Sequence, residues 1–315
     1  MIWDLFRKRS AAIGPALLGK LPCQPDFVRE GFRGPATDAL DAFLVQASPL
    51  LHQGVGVDQL PTVFVSQVLP KQAHGLIGIV APSVDAAGRP FPVAVVHALP
   101  QDQLRAVQSD AFWRFNDFIE RAEALVGKLS RFTLEDARAE LAALPTIAEE
   151  PAAMSGTGSP PPAAFERGLA KSNEGSPDPD AQSYALYVVA SAFAARHPGL
   201  TLDFPAHDPS QARLWLTLSA RVAEATSSAL CILYAPTLGR LLISIDAWHP
   251  NLLRAVADPG FSFDQLWPLG TPQAEARAHA RSALAQAGPA LARPRGVAVR
   301  ELADQLALFS QALRS

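Results

Sequence analysis

The sequence predicts an α+β protein of two domains, each a mainly antiparallel sheet packed with helices in a helix-hairpin-helix layout. Three observations lead there. Apolar runs rich in β-branched residues come in neighbouring sets with short connections, which implies antiparallel pairing. Amphipathic helical stripes flank each set. A break in composition over residues 145–183, where Pro and Gly make up 11 of 39 residues and Ser is frequent, divides the chain. The domains so defined are 1–144 and 184–315, with 145–183 as a linker whose Pro160-Pro161-Pro162 step is extended and serves as a spacer. At 315 residues the chain is long enough for two cores.

In the first domain, Leu17 to Leu21 reads as a short strand. Ala36 to Ser48 is a helix with Leu40, Phe43, Leu44 and Ala47 on one face, stopped by Pro49. Thr62 to Leu69, Leu76 to Ala81 and Phe91 to Leu99 follow as three strands. Gln103 to Val126 is a long amphipathic helix whose apolar residues, Leu104 to Leu125, recur every three or four positions. Thr133 and Asp136 have the spacing of a capping pair that opens a further helix through Leu144.

In the second domain, Gln182 to Arg196 reads as a buried helix and Leu200 to Phe204 as a short strand. Asp208-Pro209-Ser210-Gln211 carries a cap, a first-turn proline and a capping-box glutamine, so a helix starts there and presents Trp215, Leu218, Val222 and Ala225 to the core. Leu230 to Tyr234 and Leu241 to Ile245 form a second hairpin, and His249-Pro250 introduces another short helix. The last helix carries a narrow seam of Val299, Leu302, Leu306, Phe309 and Leu313, suited either to its own domain or to a dimer contact.

The segment from Gly78 to Leu99 is the most informative. Ile77, Ile79 and Val80 face Val93, Val95 and Val96 across a loop stiffened by Pro82, Pro90 and Pro92, with Gly88 able to take the positive φ of a reversal. Such a loop holds one shape and leaves Asp85 and Arg89 in water, either to brace the turn or to meet a partner.

These residues also carry a family resemblance. Pro82-Ser83-Val84-Asp85, then Gly88-Arg89 and Phe91-Pro92, resembles the loop of the type VI secretion system-associated protein TagF family. Gly19-Lys20-Leu21-Pro22 followed by Asp26-Phe27-Val28 is similar to the family's opening elements, and the two matches stand in the family's order. The chain departs from the pattern at Pro25, where the family usually carries Gly, and at Thr62-Val63-Phe64-Val65, where it has a Trp-Arg pair. The resemblance implies a post-translational repressor of type VI secretion with a forkhead-associated scaffold protein as partner. On this reading the partner-binding residues are Asp85, Arg89 and Asp26.

Composition narrows the rival classes. Almost half the residues are hydrophobic and 18% are charged, which suits packed cores. A net charge of -3 offers no basic footprint for nucleic acid. Cys23 and Cys231 are the only cysteines, which fits a reducing, cytoplasmic compartment. No apolar run reaches the roughly 20 residues of a membrane-spanning helix. At the start, Met1, Ile2, Trp3, Leu5 and Phe6 precede Arg7-Lys8-Arg9, and Gly14-Pro15 interrupts the next apolar stretch. This is an amphipathic segment rather than a secretion signal, docked on the domain or touching a membrane surface.

No phosphate loop, nucleophile elbow, zinc helix or paired Cys-x-x-Cys motif occurs, and Gly54-Val55-Gly56 has Gln59 where a dinucleotide fingerprint needs its third glycine. No catalytic residue, cofactor or metal site is expected. Asp203, His207 and Asp208 form the best metal-like cluster, but Asp208 is already explained as a helix cap. The leading expectation is a cytoplasmic, non-enzymatic regulator acting through protein surfaces. Its rivals are a serine hydrolase built on Ser83, His97 and an acid, and a small-ligand sensor with a site between the domains.

Overall fold

The computed structural model describes residues 14–31, 33–69, 72–145, 147, 179–269, 274–292 and 297–314. The amphipathic N-terminal segment and almost all of the Pro-rich linker lie outside them. Strands β1 (Pro15–Lys20) and β2 (Phe27–Gly31) precede helix α1 (Pro35–Gly54). Strands β3 (Val63–Val68), β4 (His74–Ala81) and β5 (Val93–Pro100) follow, then helices α2 (Gln101–Val107), α3 (Ala111–Arg114), α4 (Asn116–Lys128) and α5 (Leu134–Ala142). The second half runs α6 (Pro179–Ala195), β6 (Thr201–Pro205), α7 (Pro209–Thr226), β7 (Leu230–Ala235), β8 (Arg240–Ile245), α8 (Leu252–Ala257) and β9 (Leu266–Pro268). It ends with α9 (Ala274–Ala287), α10 (Pro289–Ala292) and α11 (Val299–Ala312).

The α+β class and the mainly antiparallel pairing hold, with β9 alone among the described strands pairing parallel, to β6. Each half contributes its own run of strands, and the two runs join edge to edge: β3 pairs antiparallel with β7, from Phe64 opposite Tyr234 to Val68 opposite Leu230. The result is one sheet of nine described strands in the order β2-β1-β5-β4-β3-β7-β8-β6-β9, so the sheets of the two halves are not separate. The physical reason is that each half leaves an apolar edge, Val63 to Val68 and Leu230 to Ala235. Pairing them satisfies two rows of backbone groups at once.

Period-two alternation then sends side chains to two cores. Leu17, Ile77, Ile79, Val95, Ile232 and Ile243 face one side, under α2 to α7 and α9 to α11. Ala16, Leu18, Val80, Val96, Leu233 and Leu242 face the other, under α1 and α8. Aromatic contacts fasten the junction on both faces. On one, Phe64, Phe112, Trp113 and Tyr234 form a cluster with ring centroids about 6 Å apart, and Arg213 lies over Trp113 while pairing with Asp110 at 2.8 Å. On the other, Trp248 stacks on Phe43 at 4.8 Å.

Local differences from the sequence reading have local causes. Helix α1 continues through Pro49, because burying Leu51 outweighs the one backbone hydrogen bond that proline removes. The stretch expected as one helix over 103–126 is broken into α2, α3 and α4. The breaks turn Phe112 and Trp113 toward the junction while Phe118, Ile119, Ala122 and Leu125 still cover the sheet. The capping box of α5 forms as spaced: Asp136 N–H donates to Thr133 Oγ1 at 3.1 Å and Thr133 N–H to Asp136 Oδ2 at 2.9 Å. Asp208 caps α7 through the Ser210 and Gln211 amides, but Gln211 Oε1 accepts from His207 N–H, one residue outside the expected box.

Candidate functional site

The hairpin β4–β5 projects the loop 82–92 from one end of the sheet, and backbone bonds give that loop its shape. Phe91 N–H donates to Ser83 O at 2.9 Å, Asp85 N–H to Arg89 O at 3.0 Å, and Gly88 N–H to Asp85 O at 2.9 Å. Gly88 sits at φ 76°, the left-handed value that a reversal there requires.

Asp85 is the centre of this loop, and it is buried. The expectation that it lies in water is corrected because four donors surround it. Its Oδ1 accepts from Ala87 N–H and Arg89 N–H, both at 2.9 Å. Its Oδ2 accepts from Lys20 Nζ at 2.9 Å and Arg89 Nε at 2.6 Å. Burial pushes the carboxyl pKa up, but the hydrogen bonds from Lys20, the Arg89 backbone and side chain, and the Ala87 amide together hold it well below the usual carboxylate range. Asp85 is therefore ionised at any physiological pH.

Both sequence motifs are consumed in this one arrangement. Lys20 ends β1, next to Gly19, whose φ of 125° and close approach to the Pro92 carbonyl leave no room for a Cβ. Ser83 Oγ donates to Lys20 O at 2.8 Å and Ala86 N–H to Gln24 O at 3.0 Å. Arg89 also donates through Nη2 to Pro25 O at 2.7 Å. Phe27 packs edge-on against Phe91 at 5.1 Å, and Lys20 Nζ lies 5.9 Å from the Phe91 ring centre. The opening motif and the loop motif are thus two halves of a clasp, which neither motif reveals alone. Among the side chains left outward are the Arg89 guanidinium, Val84 and, just before β2, Asp26.

The other candidate groups are not gathered. His97 points into the core on β5, where Nδ1 lies 2.7 Å from Ala98 O, Nε2 accepts from Ile147 N–H at 3.2 Å, and the ring meets Phe118 edge-on. Burial pushes its pKa down, so the ring is held neutral. Ser83 lies two residues past the end of β4, whose Ala81 pairs with Val93, and His97 stands four residues along β5 from Val93, which alone spans about 13 Å at strand rise. The pair imagined for a hydrolase is not brought together. Asp203 pairs with Arg240 at 2.7 Å and Asp208 caps its helix. Among the described residues no group of three His, Cys, Asp or Glu is placed to hold a metal ion. In the last helix, Val299, Leu302 and Leu306 are buried against α6 and α7, Phe309 is half-buried, and Leu313 is exposed.

Fold and clasp together fit what comparison with known proteins finds. Residues 16–144, the segment that contains the whole clasp, match the family model described as TagF N-terminal domain, Type VI secretion system-associated. The class that this segment matches is accordingly one associated with type VI secretion. Within that class, the segment 16–144 is a TagF N-terminal domain, the family that both motifs resemble. No curated protein matches the chain. Among solved structures, the crystal structure of PA0076 from Pseudomonas aeruginosa PAO1 is similar at 23% identity with a TM-score of 0.37. The match covers 43% of this chain and 64% of that one, so under two thirds of that protein is spanned. No helix among the described residues is long and apolar enough to cross a membrane.

Proposed function

We propose that this chain is a cytoplasmic, non-enzymatic repressor of type VI secretion that works by binding a forkhead-associated scaffold protein of the secretion system. The observation that supports this reading best is the clasp itself. The motif residues that define the domain spend their polar groups on one another, and so fix the shape of an exposed tip instead of lining a cleft around a reacting atom. Asp85 serves a partner indirectly, by holding the loop; Arg89 and Asp26 are the members of the predicted set with side chains at the surface. Repression by occupancy depends on affinity and concentration, not on turnover.

The test is co-purification of the full chain with the scaffold protein, together with secretion measured after deletion and after overexpression. A complex at micromolar concentration, with secretion raised by deletion and lowered by overexpression, is the expected result. No complex and an unchanged secretion level would remove the proposal.

A further inference from the structure

Strand β2 is an edge of the sheet among the described strands, and its surroundings are asymmetric in charge. Two ion pairs lie along it and a third, Arg89–Asp85, lies just ahead of its start, where Arg89 reaches the Pro25 carbonyl; in each the arginine is the outward partner. Side-chain exposures are 48% for Arg29 against 16% for Asp41, 54% for Arg138 against 27% for Glu30, and 61% for Arg89 against 0% for Asp85. The carboxylates form the floor and the guanidiniums the rim. A fourth arginine, Arg33, is exposed just past the strand, and its Nη2 donates at 2.9 Å to the Arg29 carbonyl. A carbonyl that a surface guanidinium can reach is turned away from β1, toward the open side of the strand. Arg33 thereby covers an acceptor that another strand would otherwise use. Two clefts of about 830 and 350 Å³ flank this edge and share Gln24, Leu134 and Arg138. The exposed acids nearby are Asp26, Asp38, Glu135 and Asp136, the last of which is held in the cap with Thr133.

From this juxtaposition we infer that the β2 edge is a docking site for an extended, acidic segment of a partner protein, which adds to the sheet as a further strand. The incoming backbone displaces Arg33 from the Arg29 carbonyl. The freed guanidinium, with those of Arg29 and Arg138, then meets the segment's carboxylates. The inference rests on the protein-binding reading above and assigns it a surface.

The test uses the full chain, the purified forkhead-associated scaffold protein, and a labelled peptide of alternating valine and glutamate. Arg33 has no carboxylate partner among its described bonds, so Arg33→Glu should keep the wild-type melting temperature and circular dichroism. The expected results are peptide binding that weakens with added salt, about tenfold loss in Arg33→Glu, retention in Arg33→Lys, and competition of the peptide with the scaffold. An alternating valine–lysine peptide, a single-stranded oligonucleotide and phosphatidylserine vesicles should bind less well; preference for either of the last two would overturn the assignment. If the scaffold binds wild type and Arg33→Glu equally and the peptide does not compete, the edge is not the site although the regulator reading stands. If the scaffold binds neither, that reading fails, and the peptide arm alone decides the edge: binding lost in Arg33→Glu upholds it, and no binding ends it.

Discussion

Replacing Phe112 by Ala tests whether the two halves are one cooperative unit. Phe112 is buried in the junction, against Phe64 and Trp113 of its own half and Tyr234 of the other. Removing a buried phenylalanine costs about 3–5 kcal/mol, of which each lost aromatic pair accounts for roughly 0.5–1.5. Hydrogen exchange followed by mass spectrometry reads the loss at two places remote from the mutation, the amides of β5 and those of β8. If the shared sheet makes folding all-or-none, protection at both falls together, by between about two and four orders of magnitude. If β5 loses protection and β8 keeps it, the halves unfold independently and the β3–β7 ladder does not couple them.

Three further predictions concern the clasp and the core. Since the Asp85 pKa is depressed on folding, its ionisation stabilises the fold fully above the ordinary carboxylate value of 3.8, and that contribution is lost as pH falls below it. Asp85→Asn should lower the melting temperature at pH 7 and flatten its decline between pH 5 and pH 2; an unchanged acid limb would contradict the clasp. Gly19→Ala meets both a left-handed φ and the Pro92 carbonyl, and should cost more than the roughly 1–2 kcal/mol of the conformation alone. Gly88→Ala meets open space and should cost about that amount, with urea midpoints giving the order. Burial pushes the Cys231 thiol up, whereas Cys23 is only half-buried, so a thiol reagent should label Cys23 rapidly and Cys231 only on unfolding; fast labelling at both sites would show that the β7 core is open.

Much of the fold was legible because local chemistry and tertiary structure agree. The β4–β5 hairpin announces itself through β-branched runs around a proline-stiffened loop, and the caps at Thr133 and Asp208 through residue type and spacing. Strand β9 escapes detection because three residues are too few to display alternation, and β2 because Phe27 and Val28 are followed at once by Arg29-Glu30-Gly31 and make no apolar run. The joining of the halves escapes it too, since an apolar strand edge looks the same whichever strand it meets. One signal does stand in the sequence: Leu230 to Ala235 is a continuous apolar run, which suits a central strand covered on both faces better than an edge. The clasp illustrates the harder limit. An aspartate in a Pro/Gly loop reads as exposed, and what buries Asp85 is Lys20, 65 residues away. That pairing follows only if the two motifs are taken as halves of one site. The arginine rim of β2 is hidden for a similar reason, because Arg138 reaches Glu30 across 108 residues.

The measurement that bears most directly on the central claim is the affinity of the purified full chain for the forkhead-associated scaffold, wild type beside Asp85→Ala, with circular dichroism confirming that both are folded. A loop whose shape is held by Asp85 for a partner's benefit predicts a micromolar or tighter complex for wild type and at least tenfold weaker binding for the variant. Equal affinity of the two proteins would contradict it.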